Sequence, residues 1–223
     1  MNDNVVIVTG AAPLHPRAVR SLPRPAIVLA ADGGLDHARA AGLTPAGLVG
    51  DLDSVSPEGL AWAQEHATIQ RHPTDKDDTD TELALAVAAD LHPAHLVLVA
   101  GSGPEDRLDH LLATLGALAT PVVTSIPRVE CWLGTQHAVI VHGPGRARLT
   151  TDPGDRISLV ALSGPCTGVT LTGTRWVLEA AELEPLAGRG VSNLADASSV
   201  EVSVTTGVLA VFHEPVEGEE VAP

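Results

Sequence analysis

Short apolar runs alternate with helix-like segments through the first half of the chain, and this alternation constrains the fold more than any other feature. VVIVTG (5–10), AIVLAAD (26–32), GLVGD (47–51), the weaker TIQRHP (68–73) and LVLVAG (96–101) read as strands. Between them HPRAVRSL, LDHARAAG, PEGLAWAQEH and TELALAVAADL read as helices, and DHLLATLGALA follows the fifth strand. A strand that is apolar at every position has no solvent face. The helices must therefore cover both sides of a parallel sheet.

The pattern changes after about Thr124. VECWLG (129–134), HAVIVHG, RARLTTD, RISLVALS, TGVTLTGTRWVLE (167–179), SVEVSV and VLAVF follow one another with Gly- and Pro-containing turns, and only AELEPLAG (181–188) hints at a helical turn. Such a series predicts an antiparallel sandwich or small barrel. The expected organisation is an α/β parallel-sheet (Rossmann-like) domain over residues 1–125, an all-β sandwich domain over 126–214, and an acidic flexible tail over 215–223.

Composition excludes several function classes. A formal net charge of −15, with one lysine (Lys76) in the chain, argues against a nucleic-acid surface, which needs clustered Lys and Arg. Two cysteines, Cys131 and Cys166, are too few for a disulfide framework or a zinc site and read as buried apolar residues. MNDNVVIVTG lacks the basic start of a signal peptide, and no apolar run approaches the ~20 residues of a membrane span. A cytoplasmic protein without a membrane partner is expected.

Ligands of open parallel sheets bind outside the C-terminal strand ends, and here those ends are acidic. The second strand leads into Asp32-Gly33-Gly34, the third into Asp51-Leu52-Asp53-Ser54, the fourth into Thr74-Asp75-Lys76-Asp77-Asp78-Thr79-Asp80, and the fifth into Gly101-Ser102-Gly103 and then Arg107-Leu108-Asp109-His110. Like charges gathered at one sheet edge repel unless a cation lies among them. Oxygen ligands without a Cys/His set point to Mg²⁺. Glycines that admit backbone N–H groups, together with Lys76 and Arg107, complete the parts that stabilise a transferring phosphoryl group. There is no G-x-x-x-x-G-K-[ST] P-loop, and no G-x-G-x-x-G follows the first strand.

Part of the acid has a plain structural use. Thr79-Asp80-Thr81-Glu82 fits a capping box with Thr79 as N-cap and Glu82 at the third helical position, and Leu83, Val87 and Leu91 would then form the buried stripe. Capping leaves Asp75, Lys76, Asp77 and Asp78 unexplained.

These motifs resemble a known family. Asp32-Gly33-Gly34, Gly50-Asp51-Leu52-Asp53-Ser54, Lys76-Asp77-Asp78-Thr79-Asp80 and Arg107-Leu108-Asp109-His110 come in the order and spacing of thiamine pyrophosphokinases, as do Gly154-Asp155-Arg156-Ile157-Ser158-Leu159, Gly173-Thr174-Arg175-Trp176-Val177-Leu178 and Val191-Ser192-Asn193 in the second half. The resemblance covers nearly the whole chain. It implies an ATP-binding α/β domain, a β-sandwich domain that binds thiamine, a homodimer, and transfer of pyrophosphate from ATP to thiamine with release of AMP. Two departures stand out. Pro104-Glu105-Asp106 occupies the place of a second glycine pair, and Thr114 stands where bacterial members commonly have Asn.

The resemblance also implies roles. Asp51, Asp53, Asp80 and Asp109 would hold the metal, with Asp80, Arg107 and Asp53 catalytic. Asp32, Gly33, Gly34, Lys76, Thr79, Arg107 and Asp109 would contact ATP and its phosphates. Trp176, Ser192 and Asn193 would contact thiamine, with Trp176 reaching across the dimer. From the residues alone Trp176 reads as core, and Trp62 and Trp132 read as packing. The competing readings are a pyrophosphokinase of the same fold acting on a pterin-like heterocycle, a haloacid-dehalogenase-type phosphatase on the strength of Asp51-Leu52-Asp53-Ser54-Val55, and a non-catalytic nucleotide or thiamine sensor.

Overall fold

A computed structural model describes residues 3–10, 12–101 and 108–216, which fall into two compact units, 1–135 and 136–223. In the first unit six strands form a wholly parallel sheet: β1 (Asn4–Thr9), β2 (Ile27–Ala31), β3 (Gly47–Gly50), β4 (Thr68–Arg71), β5 (His95–Ala100) and β6 (Arg128–Leu133). Their order is β6-β5-β1-β2-β3-β4. The chain therefore builds outward from β1 through β4, then crosses back to place β5 on the other side of β1. The neighbours of β1 are reached in opposite directions, which opens a crevice at its C-terminal end.

Helices α1 (Pro16–Ser21), α2 (Gly34–Ala40), α3 (Pro57–His66), α4 (Asp80–Asp90) and α5 (Leu108–Ala117) connect or follow these strands. Val6, Val8, Val97 and Val99 point to one face and pack with Ala18, Leu22 and Ala38 of the first two helices. The alternate residues Val5, Ile7, Leu96 and Leu98 are equally buried, so both sheet faces are covered, as strands without a polar side require. On that second face Thr9 shares a buried 2.8 Å hydrogen bond with Thr81 of α4.

β6 moves the expected boundary. By pattern VECWLG belongs to the β-rich half, yet it pairs in parallel with β5 along its whole length, and the division falls at 135/136 rather than 125/126. A two-sided, fully buried strand looks the same in sequence whether its neighbours are parallel or antiparallel.

The second unit is β-rich. Strands β7 (Gln136–His142), β9 (Arg156–Ala161), β12 (Asn193–Leu194) and β14 (Val208–Glu214) run antiparallel in the order β12-β9-β14-β7, and β8 (Gly145–Thr150), β10 (Cys166–Thr172), β11 (Leu178–Leu183) and β13 (Ser199–Val204) in the order β11-β10-β13-β8. Leu159, Leu209 and Val211 from the first set meet Leu149, Val169, Leu171, Val200 and Val202 from the second in one core. Three details differ from expectation. Residues 167–179 are two strands separated by a loop at 173–177, AELEPLAG begins as the end of β11 rather than as a helix, and Asn193–Leu194 forms a short edge strand. Cys131 and Cys166 are both buried.

Candidate active site

Three carboxylates come together where the crevice opens. Ligand oxygens of Asp32, Asp51 and Asp80 all lie within 4.8 Å of one another. Asp32 follows β2 with a left-handed φ of 46°, Asp51 follows β3, and Asp80 opens α4. The backbone at Gly50 makes the meeting possible. Its φ is 142°, and a Cβ there would stand 3.0 Å from the Asp80 carboxylate and 3.3 Å from Cβ of Asp32. The site thus contains a space that any other residue would fill.

Lys76 faces this group. Its Nζ donates to Asp51 Oδ2 at 3.0 Å and lies 3.1 Å from Asp80 Oδ1. The second contact is an ion pair out of hydrogen-bonding line, so the buried Asp80 Oδ1 is left without a hydrogen-bond donor. Charges shift accordingly. The hydrogen bond from Lys76, helped by the Asp53 amide, holds the Asp51 carboxyl below the usual carboxylate range. Burial alone would lower the Lys76 ammonium, but Asp51 and Asp80 outweigh it and raise it. Burial pushes Asp32 up and the Asp80 charge adds to that, against opposing hydrogen bonds from Ser54 and Gly33. Asp51 and Asp80 share one ammonium, Asp32 stands beside them, and the buried Asp80 Oδ1 has no hydrogen bond. This donor set fits a hard divalent cation.

Asp32 and Asp80 border a cavity of about 640 Å³ lined, among others, by Thr9, Gly33, Lys76, Thr79, His110 and Thr114. Thr79 has two duties. It borders the cavity and caps α4, its Oγ1 accepting from the Glu82 amide while the Glu82 carboxylate accepts from the Thr79 amide at 2.8 Å, which completes the expected capping box. The buried face of α4 is Thr81, Ala84, Leu85 and Ala88, rather than Leu83, Val87 and Leu91. Alanines let the helix lie close to β1, β2 and β3, and the Thr9–Thr81 bond fixes its rotation.

Not every expected residue joins the cluster. Asp53 stands on the exposed turn after β3, where its amide donates to Asp51 Oδ1 at 3.2 Å and its carboxylate accepts from Ser54 Oγ at 2.9 Å. Asp109 lies in the first turn of α5 and accepts from the His110 amide. Asp32, expected at the nucleotide, lies in the carboxylate group and borders the cavity. Gly34 serves packing, since a Cβ there would collide with the Val8 carbonyl of β1. Gly101 likewise abuts the Ala12 backbone, and it also borders the larger cavity. Arg107, Ser102, Gly103 and Pro104-Glu105-Asp106 lie outside the described residues. Gly50 has no predicted role in the sequence motif, and its signal is its place immediately before Asp51.

In the second unit Trp176 is 58 % exposed in the 173–177 loop, which removes the core reading. It borders a smaller cavity, about 210 Å³, with Leu178, Arg189, Gly190, Val191 and Asn193. Arg175 lies over its ring, 5.7 Å from the centroid. Ser192 has a left-handed φ of 62°, and its amide donates to Ser158 Oγ at 3.0 Å. Asn193 is 5 % exposed. Trp132 is buried, and Trp62 stacks on His66, so both serve packing.

Comparison with known proteins agrees with this division. The family model for the thiamin pyrophosphokinase catalytic domain matches residues 20–129, and that for the thiamin pyrophosphokinase vitamin B1 binding domain matches residues 146–209. Among solved structures the fold is similar to thiamine pyrophosphokinase from Bacillus subtilis (23 % identity, 96 % of this chain and 99 % of that one, TM-score 0.79). It is also similar to the Geobacillus thermodenitrificans thiamin pyrophosphokinase (25 %, 96 % and 99 %, 0.75) and to that of Candida albicans (14 %, 95 % and 90 %, 0.74). No curated protein sequence matches the chain.

Fold and site together define an α/β enzyme that uses a nucleotide, joined to a β-rich ligand-binding half. The chain belongs to the thiamin pyrophosphokinase family. Its reaction is the ATP-dependent transfer of pyrophosphate to thiamine, and nothing favours the pterin-like or phosphatase alternatives.

Proposed function

We propose that this transfer depends on Mg²⁺ held by Asp51, Asp80 and Asp32, with Lys76 beside them. The observation that carries the proposal is the convergence of three carboxylates around the Gly50 gap, with Asp80 Oδ1 buried and without a hydrogen bond. The ion, when bound, neutralises charge on the ATP phosphates. Lys76 offsets further negative charge there, and Arg107 is assigned the same task from its motif. The thiamine hydroxyl oxygen forms a bond to the β-phosphorus of ATP as the bond from that phosphorus to the α–β bridging oxygen breaks, and AMP leaves. Asp80 orients the hydroxyl and takes its proton. Asp53 and Asp109 act from the rim of the site.

Trp176 offers its face to the cationic, aromatic vitamin, an interaction worth about 0.5–2 kcal/mol. Its exposure beside a cavity supports that role. The chain works as a homodimer in which Trp176 of each protomer serves the partner's thiamine. A chain with only two cysteines, both buried, suits a reducing, cytoplasmic setting.

The test is to incubate the protein with ATP, Mg²⁺ and thiamine and to identify products. AMP and thiamine diphosphate, lost on chelation of the metal and regained with added Mg²⁺, is the expected result. ADP, inorganic phosphate or full activity in chelator would overturn the proposal. Asp80→Asn should lower turnover by at least about a hundredfold while ATP still binds, measured by single-turnover kinetics and calorimetry.

A further inference from the structure

Asn193 came from its motif as a thiamine contact, but its amide has nothing left to offer a ligand. Oδ1 accepts from the Trp176 amide at 3.1 Å and from the Leu194 amide at 2.9 Å. Nδ2 donates to the Trp176 carbonyl at 2.6 Å and to Thr174 Oγ1 at 3.3 Å. A carboxamide has two donors and accepts through two lone pairs, so all four places are taken. The orientation is fixed as well. Backbone N–H groups only donate and a carbonyl only accepts, so a flipped amide would face like with like on Trp176 and Leu194.

The register explains why a side chain is used. Thr174 and Ala195 form an antiparallel bridge, and the Arg175 amide donates to the Leu194 carbonyl at 2.9 Å. The loop therefore runs alongside β12, and two residues further on Trp176 falls opposite Asn193. The backbone of Asn193 pairs with Ile157 of β9 on its other side. At that rung the carboxamide stands in for a strand, capturing both the N–H and the C=O of Trp176. Thr174 Oγ1, which also donates to the Trp176 carbonyl at 3.2 Å, closes the ring of bonds. A tryptophan that is more than half exposed thus has a fixed backbone, which sets the direction from which its ring borders the smaller cavity.

We infer that Asn193 is a positioning residue that serves thiamine only through Trp176. Its carboxamide makes no hydrogen bond to the vitamin and holds the Trp176 backbone in the conformation that presents the ring. The inference rests on the assignment of Trp176 to thiamine and goes beyond it by removing Asn193 from the contact set. It also separates two neighbours in one motif, since the Ser192 hydroxyl is free of this network.

A double-mutant cycle on the full chain decides the matter, with kcat and KM measured for thiamine and for ATP. Asn193→Ala should lower kcat/KM for thiamine by roughly ten- to hundredfold, the cost of misplacing a binding group, and leave the KM for ATP unchanged. Trp176→Ala should lower it comparably, and the double variant should be no worse than Trp176→Ala alone. Losses that multiply in the double variant would overturn the inference, because Asn193 would then act on thiamine independently. So would a folded Asn193→Ala enzyme with wild-type thiamine kinetics. If Trp176→Ala leaves thiamine kinetics unchanged, the assignment of Trp176 itself fails, and the route through it fails with it. Thermal melting checks folding, and should Asn193→Ala not fold, Thr174→Val loosens the same carbonyl and replaces it in the cycle with the same expected pattern.

Discussion

Gly50 gives up its side chain so that three carboxylates can meet, and one atom tests that statement. Gly50→Ala places a methyl 3.0 Å from the Asp80 carboxylate at a φ of 142° that alanine resists. Turnover should fall by about a hundredfold, with a weaker response to added Mg²⁺, read as activity against metal concentration. Asp155 offers a second case, in the other unit. This 3 % exposed carboxylate accepts from the amides of Asp152 and Val216 and from His213 Nε2 at 2.8 Å, pinning the end of β14 to the turn before β9. Burial would raise it, but those three donors outweigh burial and hold the carboxyl below its usual range. A depressed folded value means that the stabilisation is complete above the ordinary carboxylate pKa of about 3.9 and fades as pH falls through the lowered one. Asp155→Asn should cost about 1–3 kcal/mol at pH 7 and lose part of the acid dependence below about pH 4, read from melting curves across pH. The strand-end pattern places Asp51 and Asp80 at the sheet edge. It could not show that Asp32 rather than Asp53 or Asp109 completes the group, because that depends on left-handed turns at Asp32 and Leu52 which their side chains do not announce.

Helix α4 shows what patterns at the scale of an element can and cannot say. Its start was legible to the residue, because a capping box is a local hydrogen-bond exchange between positions three apart. Thr79→Ala should destabilise the protein by about 1 kcal/mol, seen as a lower melting temperature, and should also impair turnover because Thr79 borders the cavity. Its buried face was not legible. The larger Leu83, Val87 and Leu91 suggested one stripe, but close approach to three strands selects Ala84 and Ala88, and only the tertiary contact of Thr81 with Thr9 reveals the choice. The same limit explains β6 and the 173–177 loop. Apolar character marks a strand as buried without naming its partner, and a continuous run of β-formers conceals a turn held by a distant asparagine.

At the scale of the whole molecule the reaction divides between halves that fold around separate cores. The carboxylates and Lys76 belong to the first unit, and Trp176 with its supporting asparagine belongs to the second. If the carboxylates serve the phosphates and Trp176 the acceptor, as proposed, neither set completes the transfer alone. If each thiamine is served by Trp176 of the partner subunit, an enzyme carrying Trp176→Ala and one carrying Asp80→Asn have complementary defects. Mixed and allowed to exchange subunits, they form dimers in which one site receives Asp80 from the first protomer and Trp176 from the second. Both losses then fall on the other site. Activity should rise on mixing to a substantial fraction of the wild-type value, and sedimentation should show a dimer throughout. If each chain instead uses its own Trp176, every site in the mixture keeps one defect, and activity stays at the average of the two variants however long the subunits exchange.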